Sequence, residues 1–447
     1  MSSALSSAFY AHVLLPLTAG IAGRSVYAKY RFLKEAQFWP RKKLEDYQNE
    51  RLREVVEFSC RNIPYYREVF AERGLKPEEI RTTGDLVRLP VLDKALIRSR
   101  RIEDFVHGDK KKLLVHRTSG TTGEQGTFYL SRDAEGMNYA AELLFFGWGG
   151  FSLGERHIQT GVTMKRGFEK KVKDILFNCQ YFSAFGLSDA DLEKIRSIMM
   201  KKRVRTLIGF ASSLNSIASY VRARGEVIPM KTVLSLGETL YPHYREVVEA
   251  AFACRVTDTY GCGGEGIMVA GQCERQMYHI CMPLVFVEIL DGKGERVRRG
   301  ETGRVVLTRL APSPMPLIRY DVGDVSSLPT EEECGCGRGF ALMGPIVGRC
   351  SDIIKTPSGH RIPALFFAYI LRNEERIRQY QVWQEVADRI TIKVVPGAGF
   401  GQETLRMVER KLQEGCRDLK IEFQVVDDIP PSQSGKRRFV VSTIPFQ

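Results

Sequence analysis

The segment Thr232-Val-Leu-Ser-Leu-Gly-Glu238 is a short apolar run that ends in a glycine and a carboxylate. Its length and composition are typical of a buried strand. A similar run, Val204–Phe210, precedes it, and a third, Arg255–Tyr260, follows a helical segment at 243–252. Strands that alternate with helices form mostly parallel sheets, so this part of the chain is predicted to be α/β.

The pattern changes on the C-terminal side of these strands. Segments 284–290 and 304–310 predict a small antiparallel, barrel-like β subdomain. Beyond residue 350, helical and strand patterns alternate again and predict a compact α/β unit. We therefore expect a helical N-terminal extension (1–44), a large N-terminal domain (45–350) and a small mobile C-terminal domain (351–447).

The composition excludes several classes of protein. The chain has 447 residues, of which 43% are hydrophobic and 27% are charged, so collagen-like, disordered and disulfide-scaffold classes do not fit. The formal net charge of +13 favours anionic partners and does not choose among nucleotides, CoA, nucleic acid and an acidic membrane surface. Ten cysteines in a chain of this size favour a reducing, cytoplasmic compartment.

The apolar N-terminal segment 9–21 is too short to span a bilayer. It is predicted to be a docking helix, and the alternative is a shallow contact with a membrane surface, because basic residues follow it.

A run of small and hydroxyl residues, Thr118-Ser-Gly-Thr-Thr-Gly123, is a candidate anion-binding loop. Glycines let the backbone approach a phosphate, and free N–H groups and hydroxyls can donate to it. Such a run by itself is more often an ordinary turn. It is also not a P-loop, because no Gly-Lys-Ser/Thr follows.

Four further segments carry candidate chemistry. Asp258 to Gly266 is a strand entering a glycine-rich turn with one carboxylate, Glu265, which could hold Mg²⁺ beside a triphosphate. Segment 316–324 ends in Asp324, whose carboxylate could accept bonds from ribose hydroxyls. Segment 348–355 lies at the predicted domain boundary, and 434–438 is a polar, basic loop.

In this order and at these separations, the motifs resemble those of the adenylate-forming superfamily of acyl-CoA synthetases and adenylation domains. The segments Ile63-Pro-Tyr-Tyr-Arg67, Leu89-Pro90 with Lys94, Met315 to Tyr320 and Cys334-Gly-Cys-Gly-Arg338 are similar to the phenylacetate–CoA ligase branch, and closer still to CapK-like proteins of polysaccharide biosynthesis. The resemblance covers residues 45–440.

The resemblance implies roles for individual residues. ATP phosphates would be held by Thr118, Ser119, Gly120, Thr121, Thr122 and Gly123; the adenine would be surrounded by Gly237, Glu238, Asp258, Thr259 and Tyr260; and the ribose would be bound by Asp324 and Arg349. Glu265 would bind Mg²⁺, and Lys436 would bridge the carboxylate and the α-phosphate during catalysis. Rotation at the hinge would let one site serve two half-reactions.

Three positions depart from the family pattern. Acidic Glu124 follows the loop, an extra glycine places Glu265 five residues after Tyr260, and Ser351 stands where many relatives have aspartate. Lys436 also lies in a basic cluster, where an exposed lysine is usually just solvated.

A separate metal site is predicted at Cys273, His279, Cys334 and Cys336, since thiolate and imidazole ligands suit Zn²⁺. The Cys-x-Cys spacing is tighter than usual. Free thiols are the alternative, and Cys254, Cys262 and Cys281 are rival ligands. The resemblance supports a structural zinc in this branch.

The resemblance implies that Phe210, Ala211 and Ser212 line the acyl pocket, with Tyr260 beside them, although core packing explains the aromatic residues equally well. The expected function is ATP-dependent activation of an aryl or short carboxylic acid as acyl-AMP, followed by transfer to CoA. An amine or hydroxyl acceptor is the alternative. A third and weaker hypothesis is a binding protein that has lost catalysis. A nucleic-acid-binding function is not favoured, because no recognised nucleic-acid-binding module appears.

Overall fold

The computed structural model describes most of the chain. The residues described are 13, 25–118, 126–161, 167–184, 187–201, 204–311, 313–349, 353–358, 361–371, 374–413, 416–430 and 439–444. Apart from Val13, the N-terminal apolar segment lies outside these ranges, so its predicted role is not tested.

The elements alternate in type along most of the chain. The helices are α1 (Val26–Ala36), α2 (Arg41–Asn62), α3 (Pro64–Glu72), α4 (Lys94–Ser99), α5 (Arg132–Trp148), α6 (Phe168–Leu176), α7 (Asp189–Lys201), α8 (Ala211–Arg222), α9 (Pro242–Phe252), α10 (Ala364–Leu371) and α11 (Gln402–Gln413). The strands are β1 (Leu114–Arg117), β2 (Thr127–Leu130), β3 (His157–Gly161), β4 (Cys179–Ser183), β5 (Thr206–Phe210), β6 (Thr232–Leu236), β7 (Val256–Cys262), β8 (Ile267–Gln272), β9 (Tyr278–Ile280), β10 (Val285–Leu290), β11 (Thr302–Arg309), β12 (Tyr320–Ser327), β13 (Leu342–Met343), β14 (Gly348–Arg349), β15 (Ile353–Lys355), β16 (Arg361–Pro363), β17 (Ile377–Val386), β18 (Arg389–Pro396), β19 (Lys420–Val425) and β20 (Val440–Ser442).

An eight-stranded sheet forms the centre of the large domain, in the order β13-β9-β8-β7-β6-β5-β3-β4. The five strands from β7 to β4 are parallel, and β8, β9 and β13 continue the sheet antiparallel. Parallel strands covered by helices on both faces are apolar throughout, which explains why β5 and β6 read as continuous apolar runs. The predicted α/β class is confirmed.

Local sequence signals account for the helix that precedes β5. Ser188 and Asp191 form a capping pair: each side chain accepts a hydrogen bond from the other residue's backbone N–H, at 3.2 and 3.1 Å. Helix α7 then buries Leu192, Ile195 and Met199 at helical spacing.

A second, four-stranded sheet has the order β10-β11-β12-β14, and all its pairs are antiparallel. The predicted antiparallel subdomain is therefore confirmed. Its strand order makes it an open sheet with β10 and β14 at the edges, so the barrel-like closure that we expected is wrong.

The C-terminal part has its own core and a four-stranded sheet in the order β19-β18-β17-β20. Helices α10 and α11 pack against each other beside this sheet. The small α/β unit is thus as predicted, while its mobility stays a prediction.

The N-terminal helices pack into the core of the large domain. Helix α2 buries Leu44, Leu52, Val55 and Val56 on one stripe, and α1 packs against α5.

A buried ion pair anchors the segment that follows these helices. Arg319 and Glu288 lie 3.2 Å apart at two atom pairs, and Arg319 also donates to the carbonyl oxygen of Leu89 at 2.7 Å. Because Leu92 also bridges Tyr320, this contact fixes the chain just before Lys94.

Within the described ranges, none of the helices combines the length and apolar character that crossing a membrane requires. The cytoplasmic setting stays a prediction.

Candidate functional site

The candidate phosphate loop joins β1 and β2, which pair as an antiparallel hairpin. Thr118 and Gly126 close its base: the N–H of Thr118 donates to the carbonyl oxygen of Gly126 at 2.9 Å, and the N–H of Gly126 donates to Thr118 Oγ1 at 2.8 Å. The predicted loop residues Ser119, Gly120, Thr121, Thr122 and Gly123 lie outside the described residues. The structure thus describes a hairpin that presents this loop at its tip.

The glycine-rich turn between β7 and β8 packs directly on this base. A Cβ on Gly264 would lie 2.6 Å from the Cα of Thr118, so only glycine allows this approach. Gly266 has a φ of +64°, which is also favourable for glycine. The extra glycine of this turn therefore brings Glu265 beside the base of the loop.

Glu265 is 4% exposed and its carboxylate is held from two sides. Its Oε1 accepts from the Tyr320 hydroxyl at 2.9 Å and lies 2.8 Å from Lys94 Nζ. Arg309, which is buried beneath the turn, donates to the backbone oxygen of Glu265 at 2.6 Å. Burial lowers the pKa of Arg309 to about 10, a value at which the guanidinium still carries its charge at neutral pH.

Lys94 is a site residue that the sequence analysis used only as a family signature. Asp93 caps α4 by accepting from the N–H of Leu96, and this cap sets the start of the helix that carries Lys94. No sequence signal identifies Glu265 as its partner, because the two residues lie on separate elements.

A cavity of about 300 Å³ lies on the other side of Lys94. Its lining residues are Lys94, Ile97, Arg98, Arg100, Ile102, Gly126, Thr127, Phe128 and Tyr129. Arg100 is paired with Glu68 at 2.6 and 2.8 Å, whereas Gly126 and Thr127 follow directly on the candidate phosphate loop. The cavity therefore adjoins the start of β2, close to the candidate phosphate loop.

His116 connects the hairpin to the glycine-rich turn and to α5. Its Nδ1 lies 3.4 Å from the carbonyl oxygen of Gly263, and its Nε2 lies 3.4 Å from Glu135 Oε1. The hydrogen bond to Glu135 raises the pKa of His116. An imidazolium at this position adds positive charge near the base of the loop.

The predicted adenine and ribose residues meet at one hydrogen bond. The Tyr260 hydroxyl donates to Asp324 Oδ2 at 2.8 Å, and strand pairing places Asp324 opposite Arg349 on β14. Burial, reinforced by the Asp324 charge, holds the pKa of Tyr260 well above its ordinary value. The phenol therefore stays protonated and remains a donor.

The other predicted substrate and adenine residues lie at the carboxyl ends of β5 and β6. Gly237 has a φ of +70°, and a Cβ there would lie 2.6 Å from the Phe210 ring. The N–H of Ser212 donates to Glu238 Oε2 at 2.9 Å, so Glu238 caps the first turn of α8, where Ala211 is the first residue. These residues therefore lie together at the carboxyl ends of β5 and β6.

Asp258 and Thr259 are tied into the sheet. Asp258 is buried, accepts from the Tyr278 hydroxyl, and receives no hydrogen bond at Oδ1 from any described residue. Burial raises the pKa of its carboxyl to about 6. The Thr259 hydroxyl donates to the carbonyl oxygen of Ser235 at 3.0 Å.

The four predicted zinc ligands converge, as their residue types indicated. The ligand atoms of Cys273, His279, Cys334 and Cys336 all lie within 4.8 Å of one another. Cys273 Sγ is 3.7 Å from Cys334 Sγ, and Cys336 Sγ is 3.4 Å from His279 Nε2. A tetrahedral zinc with Zn–S bonds of about 2.3 Å spaces its sulfur ligands about 3.8 Å apart.

Surrounding contacts orient the histidine of this cluster. His279 Nδ1 lies 3.2 Å from the carbonyl oxygen of Phe340, which leaves Nε2 facing the thiols. Burial lowers the pKa of His279 to about 4, so the imidazole is neutral and can act as a ligand. The rival cysteines do not join this group, and Cys262 instead lies 3.8 Å from the Tyr260 hydroxyl.

Lys436 and the hinge residues Ser351 and Asp352 lie outside the described residues. The role of Lys436 is therefore carried by the resemblance alone.

Comparison with known proteins confirms that resemblance. Residues 354–443 match the family model described as the CapK C-terminal domain. Phenylacetate-coenzyme A ligase of Thermus thermophilus is 26% identical, covering 91% of this chain and 98% of the relative. Protein CapK of Staphylococcus aureus is 22% identical and covers 98% of both chains.

The fold has solved counterparts as well. The crystal structure of 2-hydroxyisobutyryl-CoA ligase in the postadenylation state, in complex with R3-HIB-AMP, superimposes with a TM-score of 0.72 at 18% identity. The alignment covers 92% of this chain and 91% of that one. At this level of identity the likeness establishes the fold.

Proposed function

We propose that this protein, which has the adenylate-forming fold and is related to the phenylacetate–CoA ligases and CapK, is an AMP-forming ligase. It activates a carboxylic acid with ATP as acyl-AMP, releases pyrophosphate, and transfers the acyl group to an acceptor. The observation that carries this proposal is the hydrogen bond between Tyr260 and Asp324, formed beside the turn that sets Glu265 on the loop base at Thr118.

The barrier to adenylation is electrostatic, since an anionic carboxylate must attack an anionic phosphate. Positive groups fixed in a partly dry site lower this barrier without reorganising during the reaction. Lys94 and Arg309 are such groups on either side of Glu265. Lys436 would add a positive charge at the α-phosphate once the C-terminal unit has rotated.

Glu265 is suited to hold Mg²⁺. Proteins bind this ion through one or two carboxylates together with substrate phosphates, and Glu265 supplies one carboxylate beside the loop. A bound ion would neutralise phosphate charge as the α–β bond breaks. Asp324 would orient the ribose.

CoA is the proposed acceptor, because the phenylacetate–CoA ligase relatives match along nearly the whole chain. The match to CapK over 98% of both chains supports a second candidate, an amide or ester ligase acting on an amine or hydroxyl in polysaccharide biosynthesis. The two differ in the product, a thioester or an amide or ester, formed when both acceptors are offered together.

The first test is carboxylate-dependent ATP–pyrophosphate exchange over a panel of aryl and short aliphatic acids, without CoA. We expect exchange with at least one acid. If no acid in the panel supports exchange while ATP still binds, the result would instead support a binding protein that has lost catalysis.

Lys436→Ala tests the catalytic lysine. The variant should lose exchange by orders of magnitude and remain folded, whereas Lys420→Ala, at an exposed lysine of β19, should keep full exchange. Normal exchange in Lys436→Ala would contradict the assignment.

We further propose that the Cys273–His279–Cys334–Cys336 cluster holds a structural Zn²⁺, which would link β8 and β9 to the 334–336 turn. Purified protein should contain about one zinc per chain. Cys336→Ser should lower the zinc content, and Cys179→Ser, at an equally accessible but remote thiol, should not. Well under one zinc per folded wild-type chain would remove this proposal.

A further inference from the structure

Helix α6 carries an apolar face that points into solvent. Phe168 is 83% exposed and Ile175 is 76% exposed, and Val172 and Leu176 are 37% and 38% exposed. Their spacing of four, three and one residues places all four on one stripe of the helix. This arrangement is the reverse of a surface helix that buries its apolar side.

Of the α6 residues whose burial is described, Asp174 alone is partly buried, so the orientation is not that of an ordinary core-packed helix. The helix packs beside β4, at the edge of the eight-stranded sheet. Asp174 is half-buried, and its charge acts on buried His157 of β3. The partial burial of Asp174 accompanies an apolar stripe that faces solvent.

Exposed lysines lie on the same helix as the stripe. Lys170 and Lys171 are exposed on α6, and Lys171 lies beside the stripe because it comes three residues after Phe168 and four before Ile175. A second copy of the chain seated on this face through a two-fold axis would bring these cations together. The charge therefore favours an anionic partner over a second copy.

We propose that α6 docks on a membrane surface that contains anionic lipids. An aromatic residue and aliphatic residues on one side, with lysines beside them, are the features of a helix that lies in the headgroup region. Each lysine near such a surface adds attraction to anionic headgroups, and the net charge of +13 adds to it at longer range. The proposal does not depend on which reaction the protein catalyses.

The position of α6 in the fold predicts which edge of the eight-stranded sheet would face the membrane. Helix α6 follows β3, and β3 pairs with β5, whose last residue is Phe210. Since the chain leaves β3 at its carboxyl end, the start of α6 lies toward the edge of the sheet that carries Phe210. A docked α6 would thus bring this edge toward the membrane.

The experiment is sedimentation of the full chain with vesicles of phosphatidylcholine alone and of phosphatidylcholine with phosphatidylglycerol. We expect at least tenfold stronger binding to the anionic vesicles, weakened by added salt. The double variant Phe168→Ser/Ile175→Ser should bind at least tenfold more weakly. The control Val227→Ser/Val386→Ser removes exposed apolar residues elsewhere and should bind as the wild type does.

The experiment distinguishes membrane binding through α6 from binding through another segment and from a second copy of the chain that covers α6. Equal binding by the Phe168→Ser/Ile175→Ser variant and the wild type, with matching thermal unfolding, would overturn the proposal and assign any binding to another segment. A dimer in analytical ultracentrifugation that this variant dissociates would also overturn it, because a second copy would then cover α6.

Discussion

The hydroxyl of Tyr260 offers a direct test of the proposed nucleotide site. Tyr260→Phe removes one oxygen and leaves the buried ring in place. The lost contact is a 2.8 Å hydrogen bond to the Asp324 carboxylate. Hydrogen bonds to charged groups contribute about 1.5–3 kcal/mol, which corresponds to a change of roughly 10- to 150-fold.

The expected result is a loss in kcat/KM for ATP of about 10- to 100-fold, because Asp324 would no longer be held in position for the ribose. The measurement is pyrophosphate exchange as a function of ATP concentration, with saturating acid. The high pKa of Tyr260 keeps the phenol protonated, so the ratio of wild-type to variant rates should stay constant between about pH 6 and pH 9.

The matched control is Tyr66→Phe. The Tyr66 hydroxyl is also buried, but it accepts from the N–H of Ile318 at 3.0 Å and donates to the backbone oxygen of Pro316 at 3.2 Å. This variant should lose about 1 kcal/mol of unfolding free energy and keep its KM for ATP. Unchanged ATP kinetics in Tyr260→Phe, or an equal loss in Tyr66→Phe, would refute the reasoning.

Three further variants probe the frame of the site. Glu288→Gln leaves Arg319 buried without a countercharge and should cost about 3–5 kcal/mol, seen as a clear fall in unfolding temperature; an unchanged melting curve would show that the pair is not needed. Asp258→Asn removes a carboxyl whose pKa is raised to about 6. Burying this carboxyl does not lower the free energy of unfolding below about pH 4, but it lowers it by about 3 kcal/mol once the pH rises above 6. The variant should therefore be more stable than the wild type at pH 7.5 only, and an equal gain at pH 4 would contradict this. Gly237→Ala forces a left-handed φ and a contact with the Phe210 ring, so it should cost at least about 1–2 kcal/mol and weaken ATP binding, which thermal unfolding and an ATP titration would reveal.

Interactions within one element or turn were readable from the sequence. The strand predicted at 232–236 is β6, and the cap of α7 is made by Ser188 and Asp191, which lie three residues apart. Burial pattern and capping depend on residues a few positions apart, so the sequence itself contains the signal. The motif order likewise indicated the superfamily, and the zinc-type ligand set was identified by the chemistry of its residues.

Contacts between distant elements were decided only by the tertiary structure. The sequence marked Tyr260 and Asp324 separately and Glu238 as an adenine residue, but it did not indicate that Tyr260 donates to Asp324 or that Glu238 caps α8. It also did not identify Lys94 as the partner of Glu265. Such pairs depend on how sheets and hairpins pack, and packing is a property of the whole chain.

The apolar stripes of α2 and α6 show the same difference between what the sequence determines and what the tertiary structure determines. Both follow helical spacing, so the sequence determines that each helix has an apolar side. Only the packed structure decides that α2 turns this side to the core while α6 turns it to solvent and leaves Asp174 partly buried. Periodicity sets which residues share a face, and long-range contacts set where that face points.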